Sequence, residues 1–159
     1  MTPLFQEAKQ YLSTDQIDLI EDVELILTKL QKFDHINDYS FLVAPAAKAY
    51  EGYLKDFFLK IGLMSPTEYK SDRYRVGKTL NPSLRYRKLS VYRKLADIRE
   101  QGEELAEILW SAWKLGRNEI FHYFQHNLKK LSREEAEERI NQILTAIIKS
   151  GKFLEQNSF

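Results

Sequence analysis

The sequence contains no cysteine, only four prolines and only six glycines among 159 residues. Without cysteine, neither a disulfide nor a zinc–thiolate site can form, which fits a reducing compartment such as the cytoplasm. No stretch approaches the roughly 20 apolar residues that a membrane-spanning helix needs. Residues 1–7 lack the basic and apolar regions of a signal peptide. These absences predict a soluble cytoplasmic protein without a membrane association.

Apolar residues recur at three- and four-residue steps, the spacing that places them on one face of an α-helix. A first such helix begins at Thr14 or Asp15, either of which can cap it. Its apolar face is formed by Ile17, Ile20, Val23, Leu27 and Leu30. A second helix begins near Pro45, because proline is favoured in a first helical turn, and ends at Gly62.

The middle of the chain contains most of the residues that break helices. Residues 63–83 include two prolines and a glycine and are predicted to be mostly loop. Two further helices are predicted over about 84–98 and 102–116, or one bent element around Gly102.

The C-terminal part begins with a clear helix start. Ser132 and Glu135 form the Ser-x-x-Glu pattern of a capping box, which opens a last helix that reaches Gly151. A short helix over residues 2–12 completes the set. We therefore predict an all-α fold, a bundle of four or five helices in a single domain spanning 1–159.

Charge is distributed unevenly along a chain whose formal net charge is only +1. Residues 70–99, called the basic segment below, hold ten basic side chains against Asp72 and Asp97, a local charge of +8. Such a segment either meets a polyanion or pairs with the acidic helices of the protein itself. The candidate RNA-binding residues within it are Arg73, Arg75, Arg85, Arg87 and Lys88.

The most informative motif is Arg117-Asn118 followed by His122, at the end of the apolar stretch 105–115. An arginine that binds a phosphate and an imidazole that moves a proton suffice to cut RNA without a metal ion. The alternative interpretation is structural: Arg117 stabilises the C-terminal end of a helix, and His122 is an ordinary core or surface residue.

With this motif the chain resembles the HEPN superfamily (higher eukaryotes and prokaryotes nucleotide-binding), whose active members carry Arg, a polar residue and then His within an all-helical domain. Arg117, Asn118 and His122 match that pattern. Within the superfamily the chain is most similar to the catalytic domain of RNase LS-type phage-defence toxins. That group has a basic residue three positions before a glutamate, as Lys48 and Glu51 are here, although lysine stands in place of arginine. A second HEPN branch has tyrosine two positions after the histidine, where this chain has Phe124.

The resemblance implies an endoribonuclease that needs no metal or cofactor. Attack of the 2′-hydroxyl on the adjacent phosphate would be assisted by His122, and Arg117 would stabilise the charge that develops on the phosphate oxygens. Asn118 and Glu51 would position these two side chains. For Glu51 the alternative is an ordinary exposed helical glutamate between Lys48 and Lys55.

Members of the superfamily act as homodimers in which two motifs face one cleft. Aromatic residues around the motif are candidates for such an interface, or else for the core. They are Trp110, Trp113, Phe121, Tyr123 and Phe124. The resemblance further implies an RNA substrate and a toxin role restrained by a partner antitoxin.

Three other interpretations remain open. His122 and His126, with Glu119, would present metal ligands if they shared one helical face. The basic segment would bind RNA or nucleotides without catalysis, with stacking on its tyrosines. These are Tyr69, Tyr74, Tyr86 and Tyr92. The chain would otherwise be a helical adaptor for a partner protein.

Overall fold

The computed structural model describes residues 3–29, 36–98, 101–157 and 159, and every regular element in these ranges is helical. The all-α prediction is therefore confirmed for this part of the chain. Met1, Thr2, Leu30 and Arg99 lie outside the described residues. The helices are α1 (Pro3–Lys9), α2 (Thr14–Lys29), α3 (Ser40–Lys60), α4 (Pro66–Tyr69), α5 (Val76–Thr79), α6 (Val91–Ala96), α7 (Gly102–Trp113) and α8 (Arg133–Gln156). Among them, no helix is long and apolar enough to cross a membrane.

Helix α3 is the centre of the bundle, packed against α2 on one side and α8 on the other. Two buried tyrosines of α3 tie it to its neighbours: Tyr50 Oη donates to the carbonyl of Leu109 in α7 (3.0 Å), and Tyr53 Oη donates to that of Ile147 in α8 (3.2 Å). Burial raises the pKa of both hydroxyls, so they remain neutral donors. The site described below is built on this fixed central helix.

The start of α3 differs from the sequence prediction. The helix begins at Ser40, five residues before Pro45, which lies inside it. The Asp38 carboxylate accepts hydrogen bonds from the backbone N–H (2.9 Å) and hydroxyl (2.6 Å) of Ser40. These bonds satisfy donors that the first helical turn leaves free, so the helix starts without a proline at its first position. Its predicted end is confirmed, with Gly62 at φ +72° directly after the last turn.

The predicted helix over 84–98 is wrong in its first half. Residues 82–84 form a single 3₁₀ turn, and α6 starts only at Val91, capped by Ser90, whose hydroxyl accepts from the Arg93 N–H (3.2 Å). Helices α6 and α7 are separate elements, as the 3.0 Å distance between Tyr92 Oη and Glu107 Oε2 shows. In one continuous helix, residues 15 apart would be roughly 22 Å apart.

The predicted capping box is confirmed at the start of α8, where Ser132 and Glu135 bond to each other's backbone N–H. The helix continues past Gly151 to Gln156, contrary to the prediction. A Cβ at Gly151 would collide with the ring of Tyr11. Glycine here permits close packing between the N-terminal segment and α8, and it does not end the helix.

Candidate functional site

The Arg117 motif lies at a widened turn that follows α7. Residues Lys114–Asn118 form a π-helical turn, closed by a hydrogen bond from the Glu119 N–H to the Lys114 carbonyl (3.0 Å). Gly116 faces α8 so closely that a Cβ would lie 2.7 Å from Ile143 Cδ1. Single π turns in helices are frequently found at functional sites. The absence of a side chain at Gly116 therefore allows the π turn to pack closely against α8.

Arg117 is held by three groups. Its Nε lies 3.5 Å from Glu51 Oε2, and the two side chains are 34% and 33% exposed. The rings of Trp113 and Phe121 lie on either flank, each with its centroid 5.3 Å from the guanidinium carbon. Aromatic faces and a carboxylate restrict the side chain without burying its charge. The cation is thus pre-positioned and still reachable from solvent.

Arg117 lies on the wall of an open groove of about 420 Å³ between α2, α3 and the π turn, called the Arg117 groove below. Lys48 and Glu51, one helical turn apart on α3, line the same groove. The structure therefore brings together Arg117, Glu51 and Lys48 from distant positions in the sequence. Glu51 was expected to position Arg117 or His122, and in the structure it contacts Arg117.

The groove also contains residues that the sequence analysis missed. Leu19 and Asp22 of α2 face it, beside Ala44 and Pro45 of α3. Leu19 and Asp22 are three residues apart, which places them on one helical face. That spacing alone could not distinguish them from other solvent-facing residues, because the position of α2 against α3 was not known.

His122 and Asn118 occupy different positions. Asn118 ends the π turn and is half-buried. His122 is exposed, in the non-helical stretch between the π turn and the 3₁₀ turn Gln125–Asn127. Among the described residues, neither side chain makes a hydrogen bond, and His122 does not line the Arg117 groove. His122 is five residues from Arg117 along the chain, and no hydrogen bond joins it to Arg117 or Glu51.

The helical metal face considered from the sequence is not formed. Residues 121–124 are not helical, and His126 has a left-handed backbone with φ +59°. Glu119 is engaged elsewhere: its Oε2 lies 3.4 Å from Lys129 Nζ and 3.9 Å from Arg139 Nη2. Within the described ranges, no three His, Asp or Glu side chains are placed to hold a metal ion.

The aromatic residues near the motif divide into core and surface. Trp113 is buried (4% exposed), and Trp110 and Phe124 are partly buried. Phe121 and Tyr123 are 52% and 81% exposed, and Leu128, which the sequence analysis did not single out, is 76% exposed. An apolar surface of Phe121, Tyr123 and Leu128 therefore surrounds His122 along the chain.

The described residues of the basic segment form no ion pair with the protein's acidic helices. Of its described cations, only Arg93 forms an ion pair, with Asp97 of the same segment (3.8 Å). Arg75 Nη1 donates to the Asp72 and Tyr74 carbonyls (2.6 and 3.2 Å). The candidate RNA-binding residues here are all exposed: Arg73, Arg75, Arg85, Arg87 and Lys88. Arg85 and Arg93 line a groove of their own beside α6, away from the Arg117 groove.

Two of the four tyrosines proposed for stacking are exposed, Tyr69 (38%) and Tyr86. Tyr92 is buried, Tyr74 is partly buried with its hydroxyl 3.1 Å from that of Thr79, and Tyr69 donates to Asp56 (2.6 Å). Tyr86 is 70% exposed, with the Arg87 guanidinium carbon 5.9 Å from its ring centroid. The tyrosines that are exposed for stacking are thus Tyr69 and, to a greater extent, Tyr86.

No protein-family model matches the sequence, and neither a curated protein nor a solved structure matches it.

Proposed function

We propose that the protein is a metal-independent endoribonuclease of HEPN type, acting in the cytoplasm as a toxin or antiphage effector that a partner antitoxin restrains. Arg117 binds the scissile phosphate and His122 transfers the proton. Glu51 and Asn118 position them, and Lys48 adds positive charge beside the phosphate. The proposal is supported by the motif and by the shared groove of Arg117, Glu51 and Lys48.

The observation that carries the proposal is the Arg117–Glu51 pair on the groove wall. A guanidinium held between two rings and a carboxylate loses little freedom when a phosphate arrives. Electrostatic stabilisation is strongest when the donors are fixed before charge develops on the phosphate oxygens. An arginine that only stabilises the C-terminal end of a helix would require neither neighbouring aromatic rings nor a carboxylate from another helix.

The reaction follows from the chemistry of RNA. The 2′-hydroxyl attacks the neighbouring phosphorus, its proton passes to a base, and the 5′ oxygen leaves with a proton from an acid. An imidazole can serve in either role near neutral pH. Each chain supplies one motif histidine, so we propose a homodimer in which two motifs share a cleft. The exposed Phe121, Tyr123 and Leu128 are suited to bury apolar surface in such a contact.

The products distinguish this chemistry from its rivals. Cleavage of RNA by the purified protein should leave 2′,3′-cyclic or 3′-phosphate ends and 5′-hydroxyl ends. A 2′-deoxy substitution at the cleaved nucleotide should block it, whereas a chelator should not. Products with 5′-phosphate ends, or activity lost with chelator, would contradict the proposal and indicate an attacking water on a metal ion.

A second candidate function is favoured by the basic segment alone: RNA binding without cleavage. Its exposed cations and Tyr86 suit the backbone and one base of a single strand. Salt-sensitive RNA binding by a protein that leaves every RNA intact would support this function over the first.

A further inference from the structure

Residues 119–131, called the motif loop below, carry His122 and are fastened to the start of α3 by Asp38. Asp38 Oδ2 accepts a hydrogen bond from Asn127 Nδ2 (3.0 Å), and Oδ1 accepts from the Leu131 N–H (3.2 Å). The Tyr39 N–H donates in turn to the Leu131 carbonyl (3.0 Å). The carboxylate that starts α3 therefore also anchors the C-terminal half of the motif loop.

The backbone at this anchor is unusual. His126 and Asn127 both have a left-handed conformation, with φ of +59° and +52°. Two consecutive non-glycine residues in this region are uncommon and persist when the surroundings fix them. The Asp38–Asn127 hydrogen bond fixes one of them directly. It therefore maintains the reversal that returns the loop to α3.

The other end of the motif loop is fastened independently. Glu119 lies within ion-pair distance of Lys129 (3.4 Å), across the loop, and of Arg139 (3.9 Å) in α8. His122 lies between the two anchors and makes no side-chain hydrogen bond among the described residues. Its location is consequently determined by the backbone of the loop.

We propose that Asp38 and Asn127 are positioning residues that set His122 relative to Arg117. Helix α3 holds Arg117 through Glu51, and the residue preceding its N-terminal cap holds the motif loop through Asn127. Glu51 of α3 and Asp38, two residues before α3, thus contact the two segments that carry the motif. The catalytic part of this inference rests on the proposed function, whereas the placement of the loop does not.

An exchange of the two side chains tests the inference. Asn127→Asp places two carboxylates face to face, and no rotation of either can restore the bond. Adding Asp38→Asn restores it in reverse: the new amide donates to the new carboxylate, and its oxygen still accepts from Ser40 and Leu131. Asp38→Asn alone should have a small effect on the loop, because the Asn127 side-chain amide can flip. Its oxygen then accepts a hydrogen bond from the amide introduced at position 38. Asparagine and aspartate both tolerate a left-handed backbone, so the exchange itself adds no strain.

Gln142→Glu is the matched control. Gln142 Nε2 donates to Glu138 Oε1 (3.4 Å) within α8, so the substitution also sets two carboxylates together, at positions outside the motif loop. It should leave the His122 signal and the RNA cleavage rate unchanged.

Three readouts are measured on the full chain. In Asn127→Asp, kcat should fall about 10- to 100-fold with a small change in KM, because a misplaced proton-transfer group slows chemistry more than binding. The His122 Cε1–H signal, assigned by its loss in His122→Asn, should shift, and the Leu131 amide should exchange faster. The double variant should return all three to near the wild-type values.

The inference is overturned if Asn127→Asp leaves the His122 signal and Leu131 exchange at wild-type values, or if the double variant is no better than Asn127→Asp. Failure of the proposed function looks different. The wild-type protein would then cleave no RNA, while the His122 signal and the Leu131 exchange would still report whether Asp38 and Asn127 place the loop.

Discussion

The protein presents positive charge in two regions that are built in opposite ways. In the Arg117 groove, one arginine is held by Glu51 and lies between two aromatic rings. In the basic segment, the described cations are exposed, and only Arg93 has a carboxylate partner, within the segment itself. A fixed cation suits the stabilisation of one developing charge, whereas many mobile cations suit attraction of a polyanion. The two regions should therefore respond differently to substitution and to salt.

The largest difference is expected for the charge of Arg117. Arg117→Gln should reduce RNA cleavage about 100- to 1000-fold, because a fixed donor to the transition-state phosphate is lost. Arg133→Gln is the control, since Arg133 also pairs with a carboxylate, Glu137, on a partly exposed surface (2.8 Å). Cleavage rates at saturating RNA measure both. Similar cleavage rates for the two variants would show that the Arg117 groove has no special role in cleavage.

The π turn beside the Arg117 groove should depend on its packing against α8. Gly116→Ala should destabilise the protein by about 1–3 kcal/mol, because the new Cβ crowds the side chain of Ile143. Ile143→Val removes Cδ1, one of the two crowded atoms, and so relieves part of the crowding; the double variant should be more stable than the two separate losses predict. Denaturant unfolding measures these free energies. Additive effects would show that the π turn is not pressed against α8 as described.

Acid should loosen the motif loop through Asp38. Burial alone would raise the pKa of Asp38, but hydrogen bonds from Ser40, Asn127 and Leu131 outweigh it and lower the pKa to about 2. Because the pKa of Asp38 is lower in the folded than in the unfolded protein, its ionised form stabilises the fold above about pH 4. This stabilisation is lost as the pH falls toward about 2. We expect about 1–2 kcal/mol from this carboxylate, seen as a shallower acid dependence of unfolding in Asp38→Asn. Equal acid dependence in both proteins would contradict the assignment.

The basic segment should show the smallest effect and only on binding. Replacing Arg85, Arg87 and Lys88 by Gln should weaken RNA binding about three- to tenfold, and reduce its salt dependence by roughly one to three phosphate contacts. The cleavage rate at saturating RNA should stay close to the wild-type rate, because these residues lie away from the Arg117 groove.

A second triple variant controls for net charge. Lys29, Lys60 and Lys149 are exposed and lie outside the basic segment, so their replacement by Gln removes the same charge elsewhere. Equal losses of RNA affinity in the two triples would show that overall charge matters and the segment does not.

The sequence predicted the helical class and the capping box of α8, because periodicity and capping are local properties. Ser132 caps α8 as expected, and α2 begins at Thr14, close to its predicted start. Pro45 and Gly151 misled the analysis because their positions depend on tertiary contacts: Asp38 starts α3 earlier, and Gly151 packs against Tyr11. Residues that break helices when isolated are tolerated where another segment compensates for them.

The site was predicted only in part. Glu51 was singled out from its position after Lys48, and it contacts Arg117. The groove residues of α2 and the Asp38–Asn127 anchor join segments 20 to 100 residues apart, which no local pattern encodes. The path of the loop that carries His122 has the same origin, since hydrogen bonds to Asp38 hold it.

RNA cleavage by His122→Asn compared with His126→Asn tests the central claim most directly. Both histidines are exposed on the motif loop, and asparagine tolerates the left-handed backbone at position 126. If His122 transfers the proton, His122→Asn should lose cleavage about 100-fold or more, and His126→Asn should cleave at nearly the wild-type rate. Equal rates in the two variants, or a greater loss with His126→Asn, would contradict the account.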